Sequence, residues 1–266
     1  MAGARAPWRL AFRRMSESPE PERVAITGAS GLLGQALQAS LRADGVQLLR
    51  LVRSRDQATA ADALHWDPQE GEIDEAGLAA FAPDAVVHLA GESIAGKRWT
   101  EAFKARLMRS RTDSTRLIAR ACAQLSQPPR VLVSASGSGY YGDTGTRRVD
   151  ERAPAGEGFL AEICVAWEGA AEPAREAGIR VVHPRFGVVL SERGGALAKM
   201  LLAFKLGVGG KLGSGEQFFP FVSLDDAVAA LRLCLRDATL EGPVNVVAPE
   251  TATNRQFTKA LGRQLR

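Results

Sequence analysis

Three glycines at a fixed spacing carry the strongest chemical signal in this 266-residue chain. Gly28, Gly31 and Gly34 form the pattern G-x-x-G-x-x-G between an apolar run at 24–26 and a helical periodicity over 31–43. Such glycines allow a tight turn, a close backbone approach to a pyrophosphate and close packing of helix on sheet. The helix N-terminus adds free N–H groups and a positive dipole end. The pattern predicts a dinucleotide-binding site; the alternative is a strand-to-helix turn that binds nothing. The residues predicted to contact the dinucleotide are Gly28, Ser30, Gly31, Leu32, Leu33 and Gly34.

The end of the second predicted strand indicates which dinucleotide is bound. An NAD site usually carries an acid about 20 residues past the glycines, where it binds the ribose 2′-hydroxyl. Here the chain has Arg53, Ser54 and Arg55, and no acid before Asp56. A guanidinium binds a 2′-phosphate through charge-assisted hydrogen bonds, whereas a carboxylate would repel it. We therefore predict NADP(H), with Arg53 as the main contact and Ser54 or Arg55 as an assistant; the alternative for Arg55 is a solvated surface charge.

Several further segments resemble the extended short-chain dehydrogenase/reductase group. These segments are His-Leu-Ala-Gly-Glu at 88–92, a Ser-Ala-Ser stretch with Tyr-Tyr-Gly within 134–142, and Phe-Phe-Pro-Phe-Val-Ser-Leu-Asp-Asp at 218–226. Shorter motifs at 98–100, 110–112, 167–168 and 212–220 are similar to those of an atypical branch, the NADP-binding epimerase family proteins. The resemblance covers about residues 23–266, and members of that branch usually continue beyond this chain's last helix. It implies further cofactor contacts from Leu89, Ala90, Gly91, Glu92, Arg111, Ser134, Arg185 and Val188.

Some of these residues have alternative interpretations. Arg185 follows a predicted strand and would contact the cofactor or a substrate anion, or else pair with a carboxylate. Trp66 or Asp67 lies near the adenine edge by the same resemblance. His88 is interpreted as a strand-end residue and not as a base.

The proton relay of the resembled group is missing from this sequence. That group uses a Tyr and a Lys four residues apart on one helix, so that both side chains face the cofactor. The two tyrosines of this chain are Tyr140 and Tyr141, and neither begins a Tyr-x-x-x-Lys pattern. Matching the helix of this chain to the group's places Leu160 and Cys164 at the Tyr and Lys positions. The relay is therefore absent or rebuilt.

Ser136 and Tyr140 are the catalytic candidates that remain. Ser136 stands four residues before Tyr140, where the resembled group has its substrate-orienting hydroxyl; the alternative is a serine that caps a strand. Tyr140 or Tyr141 would supply a phenol, against a packing or ribose-contacting role. Glu162 is a weaker acid/base candidate, and a buried helical cysteine such as Cys164 is usually inert.

The predicted elements would place these residues at one edge of a sheet. Apolar runs predict strands at 24–26, 46–52, 85–89, 131–133, 179–183 and 243–247, and helical periodicities predict helices at 31–43, 103–125, 159–176 and 224–235. Strands that alternate with helices predict an α/β, Rossmann-like, doubly wound parallel sheet. We predict an NADP-binding domain over 23–186 and a small, irregular C-terminal substrate lobe over 187–266, incomplete or trimmed at its end.

Composition excludes several classes of protein. Hydrophobic residues make up 45% of the chain and charged residues 24%, which are ordinary globular values. No apolar run reaches the roughly 18 residues of a membrane span. The net charge of +4 comes with no basic stripe, so no nucleic-acid partner is expected. Three widely spaced cysteines and three histidines predict no disulfide framework and no metal site.

The first 22 residues are set apart from the fold. Residues 1–15 contain four arginines and no acid. We interpret 1–22 as a disordered or non-native extension, with an organelle targeting signal as the alternative. The expected location is cytoplasmic. Expected partners are a small-molecule substrate and, from the resemblance, a second copy that pairs through the helix at 103–125.

Two functions stay open from the sequence. The first is an NADP-dependent oxidoreductase or epimerase that works by hydride transfer on an unknown substrate. The second is a binding protein that senses NADP(H) or acts as a scaffold without turnover. The missing Tyr–Lys pair favours the second function, and the retained Ser136 and substrate-lobe motifs favour the first.

Overall fold

The computed structural model describes residues 20–94 and 97–265, so most of the predicted N-terminal extension lies outside the described residues. The strands are β1 (Arg23–Thr27), β2 (Gln47–Val52), β3 (Ala63–Asp67), β4 (Glu72–Ile73), β5 (Ala85–His88), β6 (Val131–Ser134), β7 (Ser136–Gly137), β8 (Arg180–Phe186), β9 (Val188–Ser191), β10 (Phe221–Ser223) and β11 (Gly242–Val246). The α-helices are α1 (Leu32–Ala43), α2 (Glu75–Phe81), α3 (Glu101–Gln124), α4 (Phe159–Gly169), α5 (Glu172–Glu176), α6 (Gly195–Lys205), α7 (Leu224–Arg236) and α8 (Asn254–Gln264).

The main sheet has the order β11–β8–β6–β5–β1–β2–β3–β4, and β7 also pairs with β8. All of its described pairs are parallel except β3 with β4. The chain order reverses on the two sides of β1, which creates a crevice at the carboxyl ends of β1 and β5. The predicted doubly wound α/β fold is confirmed.

Helices cover both faces of this sheet. One core joins the sheet to α1 and α7 through side chains such as Leu37 and Leu231. The opposite core joins it to α2, α3 and α5 through Leu78, Ile118 and Ala174. Because both faces are covered, the central strands are apolar throughout, as Val24, Ala25 and Ile26 show by their complete burial. Among the described residues, no helix has the length and apolarity to cross a membrane.

One predicted helix is interrupted in the structure. The predicted helix at 159–176 is two helices, because α4 ends at Gly169 and α5 begins at Glu172 with a proline in its first turn. Proline suits a helix start and disrupts a helix interior.

The C-terminal segment is only partly a separate lobe. Although β11 and α7 lie within 187–266, β11 extends the main sheet beside β8, and α7 covers the face shared with α1. The remainder holds β9 and β10, which form their own two-stranded parallel sheet, and α6, which packs on β9.

Candidate functional site

The glycine loop between β1 and α1 is shaped by close backbone contacts. Gly28 has a φ of 67°, and a Cβ there would lie 2.6 Å from the backbone carbon of Leu89. A Cβ on Gly34 would overlap the carbonyl of Gly28. The loop closes with a hydrogen bond of 3.0 Å from Gly31 N to Gly28 O. No larger residue fits at Gly28 or Gly34 without moving backbone, so this turn depends on glycine.

The N-terminus of α1 fits a phosphate group. Its N-cap is Gly31, and no side chain of the described residues caps this end or places an acid in the first turn. The N–H groups of Leu32, Leu33 and Gly34 are those that a helix leaves without an intrahelical partner. Free donors at the positive end of a helix, beside a glycine-rich loop, are the donor set that a pyrophosphate requires. The predicted contact Ser30 is exposed at the mouth of this loop.

Arg53 and Arg55 differ in their surroundings at the end of β2. The Arg55 guanidinium donates to Glu72 Oε2 at 2.9 Å, and its side chain is 75% exposed, which matches the surface-charge alternative. Arg53 is exposed and makes no recorded hydrogen bond or ion pair with any other residue in the described ranges. The Ser54 hydroxyl accepts from Gln57 N at 3.4 Å. Of the two arginines at the end of β2, Arg53 is therefore the one whose N–H donors are available to a ligand.

A buried polar network holds the turn after β5. Thr27 Oγ1 accepts from the N–H groups of Leu89 and Ala90 at 3.2 and 3.3 Å and lies 2.7 Å from His88 Nδ1. His88 Nε2 lies 3.2 Å from Ser114 Oγ. Because Thr27 uses its lone pairs on the backbone, its hydroxyl donates to Nδ1, and His88 carries its proton on Nε2. Burial lowers the pKa of His88 to about 3, so this ring is neutral. The sequence indicates His88 only as a strand-end residue, and no sequence pattern marks the network that it joins.

Arg111 lies beside the Gly91 turn and is largely used within the protein. Its guanidinium donates to Glu92 O at 3.0 Å and to Leu107 O at 3.2 Å. It also lies over the Trp167 ring, 5.0 Å from the centroid. Burial lowers the pKa of Arg111. The contact to Glu92 O ties α3 to the loop that follows β5, next to the predicted contacts Leu89 to Glu92.

A second network surrounds Ser136. The Ser136 hydroxyl donates to Glu168 Oε1 at 2.7 Å. Arg185 donates to both oxygens of Glu168, with Nε and Nη2 at 2.8 Å each. The register of the strands explains why these side chains lie together. Ser136 on β7 and Asn245 on β11 are both paired with Arg185 on β8. Of the two interpretations of Arg185, the structure shows the carboxylate pair.

Tyr141 completes this network. Arg185 Nη1 donates to the Tyr141 hydroxyl at 2.9 Å, and that hydroxyl donates to Asn245 Oδ1 at 2.7 Å. Burial alone would raise the pKa of Glu168, but hydrogen bonds from Arg185 and Ser136 outweigh burial and lower it. Burial opposes the charge of Arg185 as well, yet its hydrogen bonds to Glu168 and Tyr141 raise the pKa of that guanidinium. Both groups stay charged at neutral pH.

The tyrosine ring next to this network faces α4. Arg185 lies over the Tyr140 ring, 3.4 Å from its centroid. Leu160 is 36% exposed and packs against Gly139. Cys164, one turn along α4, is buried against Gly137, and burial raises the pKa of its thiol. Glu162 is exposed on the same helix.

Other predicted residues lie outside both networks. Ser134 is fully buried, and its hydroxyl has no hydrogen-bond partner in the described part of the chain. Val188 begins β9, and its N–H donates to Pro220 O at 2.8 Å. Trp66 is buried and its ring packs edge-on against His88. Of the two residues predicted near the adenine, Asp67 is therefore the one closer to the surface. The described residues contain no group of three or more His, Cys, Asp or Glu side chains that could hold a metal ion.

Comparison with known proteins places this geometry in a family context. The model of the NAD dependent epimerase/dehydratase family matches residues 24–247. An epimerase family protein of Mycobacterium bovis is 47% identical over 240 residues, 90% of this chain and 78% of that protein. The crystal structure of the human epimerase family protein SDR39U1 with NADPH has a TM-score of 0.80 at 35% identity, covering 91% of this chain and 80% of that one. A nucleoside-diphosphate sugar epimerase from Corynebacterium glutamicum has a TM-score of 0.80 at 36% identity; this chain spans about half of it, 52%.

Proposed function

The chain belongs to the NAD dependent epimerase/dehydratase family, and from that premise we propose that it binds NADP(H) and acts as an NADP-dependent oxidoreductase or epimerase. The observation that carries the proposal is the uncapped N-terminus of α1 behind a glycine-rich loop, with the unpaired Arg53 at the end of the neighbouring strand. The human relative was crystallised with NADPH, which supports the same cofactor here.

The phosphate groups of the cofactor have residues to hold them. The first-turn N–H groups of α1 would bind the pyrophosphate, and Arg53 the 2′-phosphate. The Thr27–His88 network would keep the Leu89–Ala90 turn in place beside them. When bound, the nicotinamide supplies hydride transfer.

Ser136 is the residue proposed to orient the substrate oxygen. Its proton is directed at Glu168, so toward a substrate its oxygen would act as an acceptor, for a donor such as a substrate hydroxyl. Glu168 and Arg185 hold the Ser136 hydroxyl in this direction.

A second function, binding NADP(H) without turnover, is favoured by one observation. Leu160 and Cys164 contact Gly139 and Gly137, where the resembled group would present a phenol and an ammonium. Slow NADPH oxidation with a panel of small carbonyl compounds separates the two functions. Turnover that is lost in Ser136→Ala supports the enzyme, and binding without any turnover supports the sensor.

The cofactor proposal is tested by calorimetric titration of NADPH and NADH. Wild type should prefer NADPH, and Arg53→Ala should lose about ten- to a hundredfold in NADPH affinity with little change for NADH, because one charge-assisted phosphate contact is worth roughly 1.5–3 kcal/mol. Arg55→Ala is the matched control, since Arg55 is already paired with Glu72. Equal binding of the two nucleotides by wild type would reject the NADP assignment. Binding of neither would reject the site.

A further inference from the structure

One side-chain oxygen binds the first two N–H groups of the turn after β5. Leu89 and Ala90 both donate to Thr27 Oγ1, at 3.2 and 3.3 Å. A backbone N–H can only donate, so the Thr27 hydroxyl must direct its own proton at another partner. That partner is His88 Nδ1, at 2.7 Å. Thr27 and His88 are both fully buried, so neither side chain has water as an alternative partner.

The other end of this chain of hydrogen bonds is fixed by a backbone carbonyl on α3. His88 Nε2 lies 3.2 Å from Ser114 Oγ, and the Ser114 hydroxyl donates to Ser110 O at 2.8 Å. A carbonyl can only accept, so the Ser114 oxygen is left to accept from His88 Nε2. With N–H groups at one end and a carbonyl at the other, one arrangement of protons satisfies every bond. In that arrangement His88 donates from Nε2 and accepts at Nδ1.

The turn that this chain of hydrogen bonds holds is in direct contact with the glycine loop. A Cβ on Gly28 would lie 2.7 Å from Leu89 O and 2.8 Å from Ala90 N. Because these backbones touch, the position of the turn helps to set the position of the loop. A site that is already in its binding shape binds more tightly, since less order has to be imposed when the ligand arrives.

We infer that His88 is a positioning residue for the cofactor. By accepting the Thr27 proton, it directs the Thr27 lone pairs at the turn and holds the turn against the glycine loop in the shape that binds NADP(H). This inference rests on the proposed function. His88 itself neither touches the cofactor nor transfers a proton, because its ring is fully buried and burial lowers its pKa to about 3. What matters is an accepting atom at the place of Nδ1.

Substitutions at His88 test this role by calorimetric titration with NADPH. His88→Phe and the smaller His88→Leu remove the acceptor, and each should weaken NADPH binding about tenfold, the value of roughly one hydrogen bond. His88→Asn places an amide oxygen close to the position of Nδ1 and should restore most of the affinity. Hydrogen exchange of the Ala90 amide, followed by NMR without cofactor, should be faster in the Phe and Leu variants and slow again in His88→Asn. Ala90 is the better reporter, because Leu89 N also donates to Thr27 O at 3.3 Å.

His183→Phe is the matched control. His183 is a second buried histidine, two strands away in the sheet, and its Nδ1 lies 3.2 Å from Ser134 O. Within the described residues it makes no hydrogen bond to Thr27 or to the turn. His183→Phe should lower the melting temperature as His88→Phe does, but should leave NADPH affinity and Ala90 exchange unchanged.

A double variant tests whether Thr27 and His88 act through the same oxygen. Thr27→Val with His88→Phe should bind NADPH no more weakly than Thr27→Val alone. Wild-type affinity in His88→Phe and His88→Leu, no recovery in His88→Asn, an equal loss in His183→Phe, or additive losses in the double variant would overturn the role of His88. Absence of NADPH binding by wild type would instead reject the proposed function, and Ala90 exchange would still decide whether His88 holds the turn.

Discussion

Removing one partner of the buried ion pair between Glu168 and Arg185 should cost more stability than breaking any surface pair in the described chain. The side chains of Arg185 and Glu168 are 3% and 12% exposed, and their two hydrogen bonds are parallel and 2.8 Å long. Glu168→Gln would leave a buried guanidinium without its counter-charge. Removal of one partner from a buried pair costs about 3–5 kcal/mol, much of it the desolvation of the remaining charge. We therefore expect Glu168→Gln to lower the free energy of unfolding by that amount.

A double-mutant cycle measured by urea unfolding separates the pair from its surroundings. Glu168→Met and Arg185→Met should each be strongly destabilising, and the double variant should cost less than their sum by about 2 kcal/mol or more. Glu172→Gln, which breaks a half-exposed pair with Arg175, should cost less than about 1 kcal/mol and lose its effect in high salt. Additive single variants, or equal costs for Glu168→Gln and Glu172→Gln, would refute the reasoning.

Two further predictions concern the glycine loop and the buried histidines. Both Gly28 and Gly45 have positive φ, but only Gly28 is in close contact with neighbouring backbone. Gly45→Ala should therefore lower the free energy of unfolding by about 1 kcal/mol, and Gly28→Ala should lower it by more. Gly28→Ala should also abolish NADPH binding in a calorimetric titration. The pKa of His88 is lowered to about 3 and that of His183 to about 4, chiefly by burial. As the pH falls below about 6.5, these histidines become protonated in the unfolded chain but stay neutral in the folded protein. The free energy of unfolding should therefore decrease by about 1.4 kcal/mol per pH unit for each histidine, until the pH reaches the pKa of that histidine in the folded protein. Urea unfolding at pH 7, 6 and 5 measures the slope, which should halve in His88→Gln; an unchanged slope would contradict the assignment.

The glycine loop was predictable because its sequence signals are local. A buried strand, three glycines and an amphipathic helix follow one another within 23–43, and the structure has them as β1, the Gly28 turn and α1. The same holds for the positions of β1, β2, β5, β6, β8 and β11, since each contains a short apolar run bounded by turn residues. Short or half-exposed elements such as β4 and α6 carry no such pattern and were not predicted.

The network around Ser136 was only partly predictable. Ser136 and Arg185 were candidates, but their connection through Glu168 and Tyr141 was not foreseen. With Asn245, the partners come from five separate segments, and they meet because β8 lies between β7 and β11 in the sheet. A usable signal existed, because Ser136, Arg185 and Asn245 all stand near the carboxyl ends of strands, and parallel strands bring those ends to one edge.

The position of β11 has a consequence for the order in which this protein can mature. Synthesis proceeds from the N-terminus, and domains generally begin to fold while the chain is still emerging. The glycine loop and the strands next to it leave the ribosome long before residues 242–246, so a nascent chain can form the part of the sheet around β1 early. Until β11 arrives, β8 is an open edge on its outer side, and Tyr141 lacks Asn245. The network around Ser136 is therefore completed last, and a chain that still lacks β11 would leave β8 as an unpaired edge strand.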